Sequence, residues 1–155
     1  MLVQQKVDRT RFINFFNRSW AEYKVGFNDS NGNFWIGNDL LHQLTTSGRY
    51  KLRFDVQERN NGSWYYAEYS RFIVESEASN YRMHVSGHSG NAGASGFSYQ
   101  DVPYDRDNDQ LSSNCAVTWG GGFWFKDCFR TCVNCGRGFF WNGYVRLQAS
   151  RMWLC

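Results

Sequence analysis

All five cysteines of this 155-residue chain lie near its C-terminal end, at Cys115, Cys128, Cys132, Cys135 and Cys155. The stretch from residue 100 to residue 143 is also dense in Gly, Asn and aromatic residues, and it shows no long periodic pattern. Such a stretch is typical of an irregular region that cross-links hold together in place of backbone ladders. The sequence therefore predicts a C-terminal part whose conformation depends on disulfides or on a bound metal.

The cysteine spacing leaves two chemistries open. A zinc site could use Cys128, Cys132 and Cys135, with Cys115 or Cys155 as the fourth ligand. However, the sequence has no paired Cys-x-x-Cys motifs and no nearby His, and the Gly-rich flanks do not resemble a redox Cys-x-x-Cys motif. We therefore favour disulfides over zinc, and the odd number leaves one thiol that is free or bridged to another chain.

Composition excludes several classes of protein. The length predicts a single domain, and the net charge of +3 comes from dispersed Lys and Arg, which does not suggest a nucleic-acid-binding face. No apolar run approaches the ~18 residues of a membrane helix, so we expect no membrane insertion. No phosphate-binding Gly loop is present, and Gly87-His88-Ser89-Gly90 lacks the final Gly of a hydrolase nucleophile motif. We therefore do not expect an enzyme.

Two features bear on the cellular compartment. The chain starts at Met1 without a signal peptide, which alone would favour the cytoplasm. The cysteines and three glycosylation sequons, at Asn17, Asn28 and Asn61, favour secretion instead. We interpret the chain as a fragment of a secreted glycoprotein whose true N-terminus is missing.

An acidic run at Asp105, Asp107 and Asp109 precedes the first cysteine. The run is either a solvated polar turn or an oxygen-rich site for a hard cation. It is not an EF-hand, because the required Gly and Glu are missing from loop positions six and twelve. Carboxylates of Asp107 and Asp109, together with main-chain carbonyls of Leu111 and Ser113, would form a shell suited to calcium.

Periodicity predicts short helices and several strands. Helices are expected around Ser19–Tyr23 and after an N-cap at Asn38 or Asp39, and a hairpin turn at Asn60–Gly62. Strands are expected over residues 49–56, 64–69, 72–74, 81–85 and 144–152, with a long loop over residues 87–98. Most C-terminal aromatic residues should form a core, while one or two could line a shallow pocket for a sugar or an acetyl methyl group.

These segments together resemble the fibrinogen-related domain, the globular C-terminal module of fibrinogen chains, ficolins, tachylectins, angiopoietins and tenascins. The similar stretches include NFFNRSWAEYKVGFND (14–29), GNFWIGNDLLHQLTT (32–46), YDRDNDQLSSNCAV (104–117), GGFWFKDCF (121–129) and GFFWNGYVRLQASRM (138–152). The resemblance implies one α+β domain over residues 1–155 with an incomplete first subdomain. Its parts would be an N-terminal remnant (1–30), a central, mainly antiparallel sheet (31–95) and a calcium- and ligand-binding part (96–155).

The resemblance also implies site residues. Calcium would be bound by Asp107, Asp109, Leu111 and Ser113, beside a Cys115–Cys128 disulfide. Ligand-binding positions would be Trp119, Asp127, Cys128, Phe129 and Tyr144. In several members of the family the peptide bond before the second cysteine, here Asp127–Cys128, is cis, and it directs N–H groups at an acetyl oxygen of the ligand.

Some positions depart from the family pattern. Phe129 replaces a frequent His, Trp119 stands where Tyr is frequent, and the stretch between Asn134 and Gly138 is short. The resemblance implies a secreted, calcium-dependent lectin that binds acetylated or acidic glycans in innate immune recognition. The alternative is a protein-binding receptor ligand or matrix module without an open sugar pocket. The full-length protein could oligomerise.

Overall fold

The last strand of the chain lies in the middle of its sheet. The computed structural model describes residues 1–7, 15–93, 104, 114–125, 128, 130–137, 139–143 and 145–155. Its strands are β1 (Leu2–Val7), β2 (Phe27–Asn28), β3 (Phe34–Trp35), β4 (Leu52–Glu58), β5 (Trp64–Val74), β6 (Met83–Gly90), β7 (Phe140–Trp141) and β8 (Val145–Leu154). Its helices are α1 (Trp20–Val25), α2 (Asn38–Ser47) and α3 (Cys115–Trp119), with a 3-10 turn at Glu77–Ser79.

The eight strands form one antiparallel sheet in the order β2-β3-β1-β8-β4-β5-β6, with β7 pairing to β8. Strand β8 pairs with β1 on one side, where Gln5 is opposite Arg151, and with β4 on the other, where Phe54 is opposite Met152. The sheet therefore contains strands from all three of the segments that the resemblance implies. The expected α+β architecture with a mainly antiparallel sheet is confirmed.

Strand β4 has the alternation that its sequence predicts. Leu52, Phe54 and Val56 are buried, while the residues between them face the other side of the sheet. This pattern arises because successive side chains of a strand point to opposite faces. The burial of these three side chains places the core on one side of the sheet.

Strand β5 differs from the prediction, because residues 64–69 and 72–74 belong to one strand. Ala67 and Tyr69 are buried in its first half, and Phe72 and Val74 in its second half, so the buried positions shift by one residue. The residues at the shift, 70 and 71, are both exposed. The predicted start of the loop over residues 87–98 was also wrong, because β6 continues to Gly90.

The first helix begins with the capping box expected for Ser-x-x-Glu. The Ser19 side chain accepts a hydrogen bond from the main chain of Glu22, whose carboxylate accepts one from the main-chain N–H of Ser19. The second helix lacks such a cap. Asn38 was predicted as a cap but is the first helical residue, and its side-chain oxygen accepts a hydrogen bond from the Trp35 indole at 3.1 Å.

Aromatic rings join the sheet to the C-terminal part of the chain. Tyr104 lies against Trp124 with ring centroids 4.9 Å apart, and against Trp35 at 5.8 Å. The Tyr23 hydroxyl accepts a hydrogen bond from the Gly122 N–H and donates one to the Phe16 carbonyl. Aromatic pairs in such offset or edge-on arrangements add to the stabilisation from burial. This cluster supports the irregular segment that contains the cysteines.

Candidate functional site

The third helix starts two residues after Ser113, the last residue of the predicted calcium set, and is cross-linked at its first residue. Asn114 caps α3, since its side-chain oxygen accepts a hydrogen bond from the Val117 N–H at 2.9 Å. Cys115 forms a disulfide with Cys128, and both residues are buried. This is the pairing that the family resemblance implied. The C-terminal end of the predicted calcium segment is therefore held by a capped and cross-linked helix.

The aromatic residue expected in the ligand pocket, Trp119, ends the same helix. Its indole N–H donates a hydrogen bond to the Cys128 carbonyl. Its ring makes an edge-on contact with Phe140, with centroids 5.3 Å apart. The side chain is half-buried. The structure thus brings Trp119 and Cys128 together, but the indole N–H, the only polar group of this side chain, is already hydrogen-bonded within the protein.

A second disulfide joins Cys132 to Cys135, and both are buried. The main chain of Cys132 exchanges two hydrogen bonds with Phe140 in β7, and the Arg137 N–H donates to the Trp119 carbonyl at 3.0 Å. The loop over residues 132–137 therefore packs against both β7 and the end of α3. Four of the five cysteines are in disulfides, as favoured over zinc, while Cys155 is exposed and unpaired.

Two buried polar side chains of strand β1, Gln4 and Lys6, contact this disulfide loop. The Gln4 side-chain nitrogen lies 3.1 Å from the Val133 carbonyl, from the Asn134 side-chain oxygen and from the Ser150 hydroxyl. Gln4 is completely buried, so these contacts satisfy a polar group that would otherwise be costly to bury. The Asn134 amide in turn donates to the Gly122 carbonyl at 3.0 Å, which connects the loop to the segment after α3.

Lys6 is the second of these residues, and its amine donates a hydrogen bond to the Cys135 carbonyl. The amine lies 4.4 Å from the centroid of the Phe139 ring and 5.8 Å from that of Phe16. Burial, and secondarily the charge of Arg59, lower the pKa of Lys6 to about 7. No carboxylate of the described residues lies within ion-pair distance of this amine.

Several predicted site residues lie outside the described part of the chain. These are Asp107, Asp109, Leu111, Ser113, Asp127, Phe129 and Tyr144, and the Asp127–Cys128 peptide lies outside it with them. Among the residues that are described, no three His, Cys, Asp or Glu side chains are grouped as a metal site. The calcium set therefore remains a prediction.

Sequence reasoning missed Gln4 and Lys6. Both are polar residues in a short N-terminal segment, and such residues are usually exposed. Their burial depends on pairing with β8 and on contact with the disulfide loop, both more than a hundred residues away in sequence. No local pattern in Leu2–Val7 signals it.

The chain is similar to proteins of one family along its whole length. The family model for the C-terminal globular domain of fibrinogen beta and gamma chains matches residues 1–155. Human tenascin-R is 39% identical over 122 residues, which cover 77% of this chain and 9% of tenascin-R. The Drosophila melanogaster protein scabrous is 38% identical over 149 residues, which cover 88% of this chain and 18% of scabrous. The chain thus spans only a small part of these relatives.

A solved structure shows the same fold. The fibrinogen-like globe domain of human ANGPTL6 superposes with a TM-score of 0.86 at 28% identity, over 99% of this chain and 76% of that domain. In the part of the chain that the structure describes, no helix is long and apolar enough to cross a membrane. The sheet, the disulfide beside α3 and these similarities lead to one conclusion: the chain belongs to the family of fibrinogen C-terminal globular domains.

Proposed function

We propose that this domain is an extracellular, non-enzymatic recognition module that binds a protein partner. The observation that carries the proposal is the internal use of Trp119. A sugar or acetyl pocket needs an aromatic wall that is open to the ligand. Here the edge-on contact with Phe140 and the hydrogen bond to the Cys128 carbonyl both turn the indole toward the protein.

The relatives support a protein-binding role over a sugar-binding one. Tenascin-R, scabrous and the ANGPTL6 globe domain are similar over most of this chain. Tenascin-R and the ANGPTL6 globe domain correspond to the matrix and angiopoietin-like branches of the resemblance, where recognition of a protein partner is the expected activity. Fibrinogen-related domains carry such recognition without a nucleophile–base pair, and the sequence offers no such pair.

An extracellular location is supported by the covalent structure. Two disulfides join buried cysteines, and stable disulfides are typical of secreted proteins. The three sequon residues, Asn17, Asn28 and Asn61, are all exposed, so each is accessible to a glycosylating enzyme.

Recognition of acetylated or acidic glycans beside a calcium ion is the competing proposal. Its support is the donor set of Asp107, Asp109, Leu111 and Ser113, which offers the oxygen ligands that calcium prefers. The capped, cross-linked start of α3 would hold one end of that segment. Calcium would organise the segment under either proposal, so calcium binding alone does not distinguish a lectin from a protein-binding module.

Resin and cell-binding measurements separate the two proposals. The domain is applied to N-acetylglucosamine resin in calcium buffer, and fluorescent domain is titrated onto cultured cells. We expect no retention on the resin. We expect saturable cell binding that trypsin treatment of the cells removes and enzymatic deglycosylation of the cells leaves intact. Retention on the resin with elution by free acetate, or loss of cell binding after deglycosylation alone, would overturn the proposal in favour of a lectin.

A further inference from the structure

A concave site lies on the sheet at the end of α2. Its cavity of about 430 Å³ is lined by Gly48, Arg49 and Tyr50 on one side and by Ser70, Arg71, Phe72 and Ile73 on the other. The first group connects α2 to β4, and the second group belongs to β5. None of these residues belongs to the site described above.

The cavity lies where the buried positions of β5 shift by one residue. Ser70 and Arg71 are exposed in succession, although consecutive strand residues normally point to opposite faces. Gly87 of β6 is opposite Ser70 and has a φ of +72°, and a Cβ there would lie 1.9 Å from the Ser70 hydroxyl oxygen. This position of β6 therefore requires a glycine, next to the point where two polar side chains of β5 are exposed in succession.

The charge of the cavity is positive and uncompensated. Arg49 and Arg71 are both exposed, and neither forms an ion pair within the described residues. No lining residue is acidic, while Tyr50 and Ser70 add hydroxyl groups. A guanidinium pair with hydroxyl neighbours is suited to a planar oxyanion, because each guanidinium can donate two parallel hydrogen bonds.

We propose that this cavity binds the carboxylate of an acidic peptide side chain on the protein partner. The inference rests on the proposed function, since it assigns a contact to that partner. Ile73, which is partly exposed, provides an apolar surface for the aliphatic stem of a glutamate. The occupant is thus a short acidic segment that inserts one carboxylate between Arg49 and Arg71.

The surrounding charges favour a peptide over a sulfated polysaccharide. A polysaccharide requires a continuous cationic track, because it presents many charges along its length. The next arginine along the sheet, Arg53, is neutralised by Asp55 at 2.8 Å and faces Glu68 at 3.8 Å. The one further exposed cation next to the lining residues in sequence is Lys51, so the positive charge forms a short cluster at the cavity and not a continuous track, which matches a single carboxylate group.

Fluorescence anisotropy with labelled hexaglutamate tests this inference. Arg49→Gln and Arg71→Gln should each weaken binding by about fivefold or more, and the double variant by at least about thirtyfold, as expected for loss of charge-assisted hydrogen bonds. Hexaglutamine should not bind, and added salt should weaken hexaglutamate binding. Arg146→Gln is the matched control, since Arg146 is exposed at the start of β8, whereas the cavity adjoins β4 near the end of β8.

Three results would overturn the inference. They are no hexaglutamate binding by the unsubstituted domain, an equal loss on Arg146→Gln, and tighter binding of a short heparin fragment that the arginine variants reduce. If the Arg49→Gln/Arg71→Gln variant binds cells as tightly as the unsubstituted domain, and trypsin treatment of the cells still abolishes that binding, the inference is wrong but the proposed function is supported. Circular dichroism of each variant checks that the fold is retained.

Discussion

The amine of Lys6 donates a hydrogen bond to the main-chain carbonyl of Cys135, 129 residues later in the chain. This contact joins the first strand to the Cys132–Cys135 disulfide loop, and Gln4 joins the same strand to Val133 and Asn134. The amine is buried against aromatic rings, without a described carboxylate within ion-pair reach. A buried cation in such surroundings makes the stability of the fold depend on pH.

Stability should rise with pH above neutrality because of Lys6. Its pKa in the folded protein is about 7, against a reference of 10.5, so in the interval between them the unfolded chain binds more protons. Below that interval both states are protonated and this contribution is constant. Linkage predicts a gain of about 2 kcal/mol in the free energy of unfolding between about pH 7 and about pH 9.

Urea denaturation of the Lys6→Met variant across this range measures the effect. The variant should lose most of the rise, because it has no amine to deprotonate. Lys51→Met is the matched control, since Lys51 is exposed, and it should keep the rise. The same pH dependence in both variants would show that Lys6 is not its source.

Local patterns in the sequence predicted some parts of this fold well. The Ser19–Glu22 capping box and the alternation of Leu52, Phe54 and Val56 depend on residues close together in the chain. The family motifs around Cys115 and Cys128 implied their disulfide, which spacing alone left open. Such signals are local or carried by a recognisable motif, so they can be read before the fold is known.

Other parts depend on packing between distant segments. The burial of Gln4 and Lys6 requires a disulfide loop near the other end of the chain. The shift of buried positions at Ser70 requires Gly87 on the neighbouring strand, and the turn residues Gly and Ser around it suggested a loop instead. Of the candidate ligand site, the family resemblance implied that Trp119 and Cys128 belong to one pocket, but not the hydrogen bond between them.

Removal of the Cys115–Cys128 disulfide should cost more stability than removal of the Cys132–Cys135 disulfide. The first closes a loop with a sequence separation of 13 and the second one of 3. Chain entropy predicts losses of about 3 kcal/mol and roughly half that, respectively. Urea denaturation of the two paired Cys→Ala variants measures both values. A larger loss from the second pair would show that contacts of the loop, and not chain entropy, set its contribution.

Substitution of Gly87 by alanine should destabilise the sheet next to the arginine-lined cavity. The new Cβ would lie 1.9 Å from the Ser70 hydroxyl oxygen, and the φ of +72° is unfavourable for alanine. Strain and overpacking together should lower the free energy of unfolding by about 2–4 kcal/mol.

Gly62→Ala is the matched control, because Gly62 has a φ of +70° with no atom within 4 Å of a Cβ. It should cost only the backbone strain, about 1 kcal/mol. Thermal melts of Gly87→Ala, Gly62→Ala and the double variant Ser70→Gly/Gly87→Ala separate backbone strain from the close contact with Ser70. The double variant should regain part of the stability that Gly87→Ala loses, because the Ser70 hydroxyl is absent. Equal losses for the two glycines would rule out the close contact with Ser70.

Calcium binding by the acidic run predicts that Asp107→Ala lowers the stability of the domain mainly when calcium is present. A ligand that binds only the folded state raises its stability, and the gain grows with the logarithm of the ratio of free ligand to Kd. Asp107→Ala should therefore lower the melting temperature in calcium buffer and change it little in chelator. Asp105→Ala is the matched control, because Asp105 is not in the predicted calcium set, and it should produce a smaller change. Equal destabilisation by Asp107→Ala in both buffers would show that this carboxylate does not bind calcium. A calcium-dependent effect of Asp105→Ala as large as that of Asp107→Ala would show that the negative charge of the whole run, and not coordination by particular carboxylates, accounts for calcium binding.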